Sequence, residues 1–232
     1  MSDDAARDVA GRVAVVRERI AAAARAAGRA PDAVRLVAAT KTQTVDAVRA
    51  VLAAGVTDVG ENRAQELVAK APELADAAPT WHFIGRLQAN KTRFVAERCD
   101  WCHTLDRLNV AERLNRQRPY HAPPLQVCVQ VDVANGQDRA GVAMSELPRL
   151  AEAVAALPRL RLRGLMCLPP IETEFERQRL HFRRLRECQE ALISAGFALD
   201  VLSAGMSGDL EAAIAEGATH LRIGTAIFGP RG

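Results

Sequence analysis

The residues with most chemical potential stand where short apolar runs end. One run closes as Val37-Ala38-Ala39-Thr40-Lys41. A lysine in that place commonly marks only the chain's return to water. At an enclosed rim the same amine loses solvation, which favours its neutral form, and a neutral amine attacks an aldehyde to give a Schiff base. What faces the amine decides between these readings. A later run leads into Ser203-Ala204-Gly205-Met206-Ser207-Gly208-Asp209, and the last into Arg222-Ile223-Gly224-Thr225. Small residues and hydroxyls before a helical segment offer free N–H and O–H donors to an anion. The plain alternatives are a helix cap at Ser207 and a tight turn at Gly224. Arg222 lies inside an apolar run, where an unpartnered charge is costly. It needs either a carboxylate of the protein or a ring nitrogen of a bound ligand. Asn62, after Gly60-Glu61, either caps the next helix or points into the opening. His82, in Trp81-His82-Phe83-Ile84-Gly85, precedes a run's end and suits a satisfied core histidine as well as a site residue.

These residues need elements that bring them together. From Asp4 to Ala27, Val9, Val13, Val16, Ile20, Ala23 and Ala27 recur at helical spacing, and Gly28 closes the segment. A short apolar run followed by a helical run then repeats. The strands are predicted at Leu36–Thr40, Asp58–Gly60, His82–Ile84, Trp101–Leu105, Leu125–Val133, Leu162–Leu168, Val201–Ala204 and Leu221–Ile223. Helices are predicted at Thr44–Ala54, Arg63–Lys70, Gln88–Glu97, Leu108–Gln117, Ser145–Ala156, Phe175–Ala195 and Asp209–Glu216. Strict alternation implies parallel pairing. Eight such strands close into a TIM-type (β/α)₈ barrel, here a single domain over residues 1–232. The N-terminal helix (1–28) is expected to cover the barrel bottom. An open doubly wound sheet is the alternative, but no Gly-x-Gly-x-x-Gly turn follows the first strand. In a barrel, active residues gather at the C-terminal strand ends, and loops after the last two strands often bind phosphate.

Composition narrows the function classes. The 232 residues carry a formal charge of +3, too small and too evenly spread for a nucleic-acid partner. The local excess at Arg177–Arg186 lacks interleaved aromatics and reads as a solvated helix face. No apolar run reaches membrane-spanning length, and no signal peptide is evident, so the cytoplasm is expected. Five scattered cysteines fit reduced thiols. Cys99-Asp100-Trp101-Cys102-His103 matches the haem-attachment pattern, but that chemistry requires export, and the motif straddles a strand start. No second cysteine pair supports zinc.

Several of these motifs together resemble the pyridoxal phosphate homeostasis proteins. They are Gly60-Glu61-Asn62, Trp81-His82-Phe83-Ile84-Gly85 with Gln88 and Asn90-Lys91, Leu162-Arg163-Gly164-Leu165-Met166, Gly205-Met206-Ser207-Gly208-Asp209, and Arg222 through Gly229. They run in order from about Leu36 to the chain end. The resemblance implies a fold-type III barrel, related to the N-terminal domain of alanine racemases, that binds pyridoxal 5′-phosphate (PLP). It implies that Lys41 forms the internal Schiff base and that Ser207, Gly224 and Thr225 hold the phosphate. Arg222 would meet the pyridine nitrogen, Asn62 would lie by the ring hydroxyl, Met166 would line the pocket and His82 would support the mouth. Three positions depart from the family's pattern. Arg63 stands where many members have tyrosine, Thr104-Leu105-Asp106 replaces a serine-containing stretch with little expected consequence, and Arg139 stands where many have lysine.

A catalyst needs more than the cofactor. An arginine at the pyridine nitrogen disfavours its protonation and weakens the electron sink. Racemisation needs a base on each face of the substrate carbon, and racemases of this fold draw the second, a tyrosine, from a further β domain. The single tyrosine here, Tyr120, falls in a Pro-rich stretch before the fifth strand, and the chain stops after the eighth. The expectation is a carrier that masks the aldehyde and supplies PLP to apoenzymes, as a monomer or weak dimer without substantial catalysis. A small amino-acid racemase or lyase is the first alternative. A barrel using Lys41 as an aldolase-type amine on another phosphorylated metabolite is the second.

Overall fold

The computed structural model describes residues 3–134 and 140–230. Its strands are β1 Arg35–Ala39, β2 Asp58–Glu61, β3 Thr80–Phe83, β4 Trp101–Leu105, β5 Leu125–Asp132, β6 Val142–Ala143, β7 Leu160–Met166, β8 Val201–Ser203 and β9 His220–Ile223. The sheet order is β4-β3-β2-β1-β9-β8-β7-β5, and a β4–β5 pairing closes these eight into a parallel barrel. The two-residue β6 adds to the end of β5 outside this ring. The expected barrel is therefore present, and the open sheet is ruled out.

The helices are α1 Asp3–Ala26, α2 Val45–Ala53, α3 Ala64–Glu73, α4 Thr92–Arg98, α5 Leu108–Gln117, α6 Leu147–Ala155, α7 Phe175–Ser194, α8 Leu210–Ala215 and α9 Thr225–Phe228. Among the described residues none is long and apolar enough to cross a membrane. Strand and helix ends differ from the sequence reading by a few residues. The sixth barrel strand, β7, ends at Met166, where its pairing with Ser203 stops, rather than at Leu168. The sequence reading missed β6 and α9, both too short to show a period.

α1 does not cover the barrel bottom. It buries Val9, Val13, Val16, Ile20 and Ala24 and packs against α2, α8 and α9. It thus takes the outer-layer place over the β9–β1 seam, where α9 contributes only four residues. Gly28, at φ 67°, turns the chain out of α1, a backbone region favoured by glycine.

The Arg177–Arg186 run is also not a plain solvated face. Arg179, Arg183 and Arg186 converge from α7 on the carboxylate of Glu216, which follows α8, at 2.8, 3.1 and 3.3 Å. The Glu216 side chain is 3% exposed. Burial pushes its carboxyl up, but the surrounding guanidinium groups outweigh burial and hold it below the usual range.

Two apolar clusters form. The large one fills the layer between strands and helices. The small one, Trp101, Cys128, Met166 and Val201, comes from four adjoining strands. Alternate strand residues share a side, so Trp101 and His103, His220 and Arg222, and Val201 and Ser203 lie on the same face of their strands. These are the side chains of the barrel lumen. The apolar cluster fills part of it, and histidines, Ser203 and Arg222 fill the rest.

Gly164 has no room for a side chain. A Cβ there would stand 1.8 Å from the Val201 carbonyl oxygen across the β7–β8 pairing. We expect Gly164→Ala to lower unfolding stability by about 3 kcal/mol, read from urea midpoints.

Candidate functional site

The pairing of the first strand with the last frames the candidate site. β1 and β9 run in parallel with Val37 opposite Arg222 and Ala38 opposite Ile223. One residue on, Gly224 lies against Ala39, where an added Cβ would come 3.3 Å from the Ala39 oxygen. Lys41 comes two residues later on the same rim. Its ε-amine makes no hydrogen bond or ion pair among the described residues.

Both neighbours of Lys41 are clamped. Thr40 is fully buried; its hydroxyl donates to Glu61 Oε1 at 2.7 Å, and its carbonyl accepts from Lys70 Nζ at 2.9 Å. Lys70 also donates to Glu61 Oε1 at 2.7 Å and to Glu66 Oε2 at 3.3 Å. Glu66 Oε2 in turn accepts the Thr42 N–H at 2.7 Å. Thr42 sits at φ 64°, a left-handed conformation that costs a threonine of order 1–3 kcal/mol. The surrounding bonds hold it there. Sequence reading missed this network, because nothing in the pattern of Lys70 separates it from an ordinary surface lysine. Burial pushes Glu61 up against the opposing pull of Lys70 and Thr40, and its second oxygen is buried without a partner.

The two loops proposed as an anion cradle touch each other. The N–H of Ala226, in the first turn of α9, donates to Ser207 Oγ at 3.1 Å. Ser207 therefore caps α9 rather than the helix next after it, and its own hydroxyl proton stays available. Asp209 Oδ1 accepts the Met206 N–H at 2.5 Å and closes the first loop. Arg19 of α1 reaches the Ser207 carbonyl at 3.3 Å. Thr225 is exposed at this rim beside Gly224.

Arg222 is 4% exposed. Its Nη1 donates to Ser203 Oγ at 2.7 Å and its Nη2 to the Cys167 carbonyl at 2.9 Å. No carboxylate forms an ion pair with it among the described residues, so the salt-bridge alternative fails. Burial pulls the guanidinium below its usual range. From β9 the guanidinium thus reaches across to the end of β7, where a ligand's uncharged acceptor could meet it.

Asn62 does not cap α3, whose N-cap is Arg63 without a side-chain cap bond. Its Oδ1 is buried with no partner. Its backbone is fixed by Gly85, where a Cβ would stand 2.0 Å from the Asn62 oxygen. Thr104 Oγ1 donates to the Gly85 carbonyl at 2.5 Å. That substituted stretch, expected to matter little, therefore braces the wall beside Asn62. Arg63 opens onto a cavity of about 490 Å³ beyond β2 and β3, shared with Arg86 and Lys91. Arg139 lies outside the described residues.

Two of the expected site residues lie below the rim. Met166, expected to line the pocket, is fully buried and packs beneath the opening. His82 is not at the mouth. It is fully buried in the lumen, with Nε2 bonded to Asp58 Oδ1 at 2.9 Å and Nδ1 to His103 Nε2 at 2.8 Å. Its position short of the strand end carried that signal. Cys99, Cys102 and His103 are all buried, which leaves no surface for haem attachment.

Each charged pair has a measurable consequence. The Glu61 and Lys70 side chains are 0% and 8% exposed, so Lys70→Met should cost about 3–5 kcal/mol and Glu61→Gln added to it should recover part. Urea denaturation measures both. Burial pushes Asp58 up, but the His82 hydrogen bond and the Arg35 charge prevail and lower it to about 2. Its unfolded value is about 3.9, so the stabilisation is complete above pH 4, is lost as pH falls toward 2, and amounts to roughly 2 kcal/mol. Asp58→Asn should flatten stability over that window.

Comparisons place this geometry among known proteins. The family described as "Alanine racemase, N-terminal domain" matches residues 13–232. A pyridoxal phosphate homeostasis protein of Pseudomonas aeruginosa is 52% identical over 223 residues, 96% of each chain. One of Escherichia coli strain K12 is 48% identical over 97% of each chain. Among solved structures, PipY of Synechococcus elongatus PCC7942 with PLP bound is 35% identical, with a TM-score of 0.81, covering 95% of this chain and all of that one.

Proposed function

We infer the function of a chain that belongs to the pyridoxal phosphate homeostasis proteins, within the alanine racemase N-terminal domain family: it binds PLP and keeps its aldehyde masked for intracellular supply. PLP supplies an aldehyde that condenses with an amine, releasing water, and it absorbs near the violet edge when so held. The remaining work belongs to the chain. Lys41 provides the amine. Ser207, Gly224 and Thr225 cradle the phosphate with one hydroxyl pair and the backbone at the α9 start. Arg222 donates to the pyridine nitrogen, and Asn62 meets the ring hydroxyl with the polar atom left unpartnered. Met166 packs below, and His82 acts on the mouth only through the lumen.

The observation that carries this reading is Arg222, a buried guanidinium at the mouth with no carboxylate against it among the described residues. A cation there keeps the pyridine nitrogen unprotonated, so the ring is a weak electron sink. The chain's one tyrosine, Tyr120, is 99% exposed between α5 and β5, at the opposite end of the barrel. Retention and release therefore fit these residues better than turnover. The chain acts as one domain in the cytoplasm, as a monomer or weak dimer, with PLP-dependent apoenzymes as recipients. Its five unpaired thiols suit a reducing compartment.

Purified protein given PLP should absorb near the violet edge. Borohydride should fix the cofactor on the peptide containing Lys41, and Lys41→Ala should lose the band. A colourless wild type, or steady conversion of L- to D-alanine at an enzymatic rate, would overturn the reading.

A further inference from the structure

A line of hydrogen bonds runs through the lumen and ends on Arg222. At the far end Arg35 Nη1 donates to Asp58 Oδ1 at 2.9 Å. The same oxygen meets His82 Nε2 at 2.9 Å. His82 Nδ1 meets His103 Nε2 at 2.8 Å, and His103 Nδ1 meets Ser203 Oγ at 2.7 Å. Ser203 Oγ accepts from Arg222 Nη1 at 2.7 Å. His82, His103 and Ser203 are fully buried. The ring of Trp101 stacks on His82 at 5.7 Å between centroids, and His220 packs against both histidines. These rings shield the two imidazoles from solvent.

The two ends dictate the polarity of everything between. An ionised carboxylate only accepts, and a guanidinium only donates. His82 must therefore donate from Nε2 to Asp58, which leaves Nδ1 of a neutral ring as an acceptor. His103 must then donate from Nε2, which leaves its own Nδ1 to accept the Ser203 proton. Ser203, having donated, accepts from Arg222. The Arg222 end agrees with this order, since a hydroxyl that donates to His103 can still accept from Arg222. Between Arg222 and Asp58, every N–H and O–H in the line points from the mouth toward the carboxylate. Burial supports the neutral rings, since it pushes both imidazoles below their usual range.

We propose that Asp58, His82, His103 and Ser203 are positioning residues for Arg222, an aligned line that orients its guanidinium and offsets its charge from the opposite end of the barrel. Ser203 and the Cys167 carbonyl fix two guanidinium nitrogens, so its orientation is set before a ligand arrives. The aligned dipoles present a partial negative charge at Ser203, backed by the Asp58 carboxylate. That stands in for the carboxylate that Arg222 lacks. The functional part rests on the reading of Arg222 as the partner of the pyridine nitrogen, while the tautomers do not.

Nitrogen-15 NMR of the histidine rings tests the line on the native chain. Both His82 and His103 should be neutral with the proton on Nε2 at neutral pH. An Nδ1–H tautomer or a doubly protonated ring at either position overturns the proposal. PLP titration of His103→Leu and His103→Gln then tests the consequence. The leucine removes the line, whereas the glutamine amide can still accept from Ser203 and donate to His82. His103→Leu should raise the PLP dissociation constant about tenfold and shift the absorption band, and His103→Gln should recover most of both. Wild-type affinity and band in His103→Leu, or equal losses in the two variants, overturn it. If His103→Leu does not fold, the native tautomers and His103→Gln decide. A wild type that takes up no PLP sinks the cofactor reading instead, and the tautomers still report on the line itself.

Discussion

The pairing of β1 with β9 is the constraint on which the mouth depends. It sets Ala38 beside Ile223, residues separated by most of the chain, and so brings the strand end that leads to Lys41 against the one that leads to Gly224 and Thr225. Before the ring closes those groups share no geometry. Closing so long a loop carries an entropic cost that local contacts cannot offset. α1 helps to offset it. Its apolar stripe lies across the helices flanking the seam, and Arg19 ties it to Glu211 of α8 and to the Ser207 carbonyl. An N-terminal helix with no mouth residue of its own thus braces the two strand ends that carry the mouth.

Among the described residues, Lys70 and Arg222 are both buried near the mouth, and their charges are met by different means. Lys70 meets the Glu61 carboxylate directly, which settles both charges over one short contact and fixes the backbone on either side of Lys41. Arg222 has no such contact. Its charge is met by neutral acceptors, and the nearest end of a compensating line is a serine. A direct carboxylate would hold the guanidinium more strongly, but it would also occupy the donors that a ligand needs and cancel the field at the mouth. The indirect arrangement leaves both in place.

Much of this was legible in the sequence, for identifiable reasons. Strand–helix alternation is a periodic signal spread over the chain, so the barrel could be read, and its polarity put Lys41, Ser207, Arg222 and Gly224 at strand ends. Side-chain partners carry no period. His82 and His103 sit on adjacent strands 21 residues apart, and their pairing depends on barrel register and shear, which the sequence does not display. Lys70 looks like any helix lysine until α3 is laid against β1 and β2. The arginines of α7 looked solvated because Glu216, their common partner, comes 30 or more residues later. β6 and α9 are too short for any pattern to reveal.

Holding a cofactor and using it place different demands on one pyridine nitrogen. Turnover through a carbanion needs that nitrogen protonated, and a carboxylate is the usual means. Retention needs only a donor that keeps the ring in place while the aldehyde carbon meets an amine. With Arg222 at that nitrogen, as proposed, it would meet the second demand and oppose the first, because a guanidinium stays charged over the whole physiological range. The lumen strengthens that opposition. A line that stabilises Arg222 as a cation would make it a poorer source of protons, so a ring held there would be oriented without being activated. Under the proposed assignment, exchange at the aldehyde between Lys41 and an incoming amine would remain open, whereas bond cleavage at a substrate carbon would gain little from this mouth. The same electrostatics would then favour holding the cofactor over racemisation.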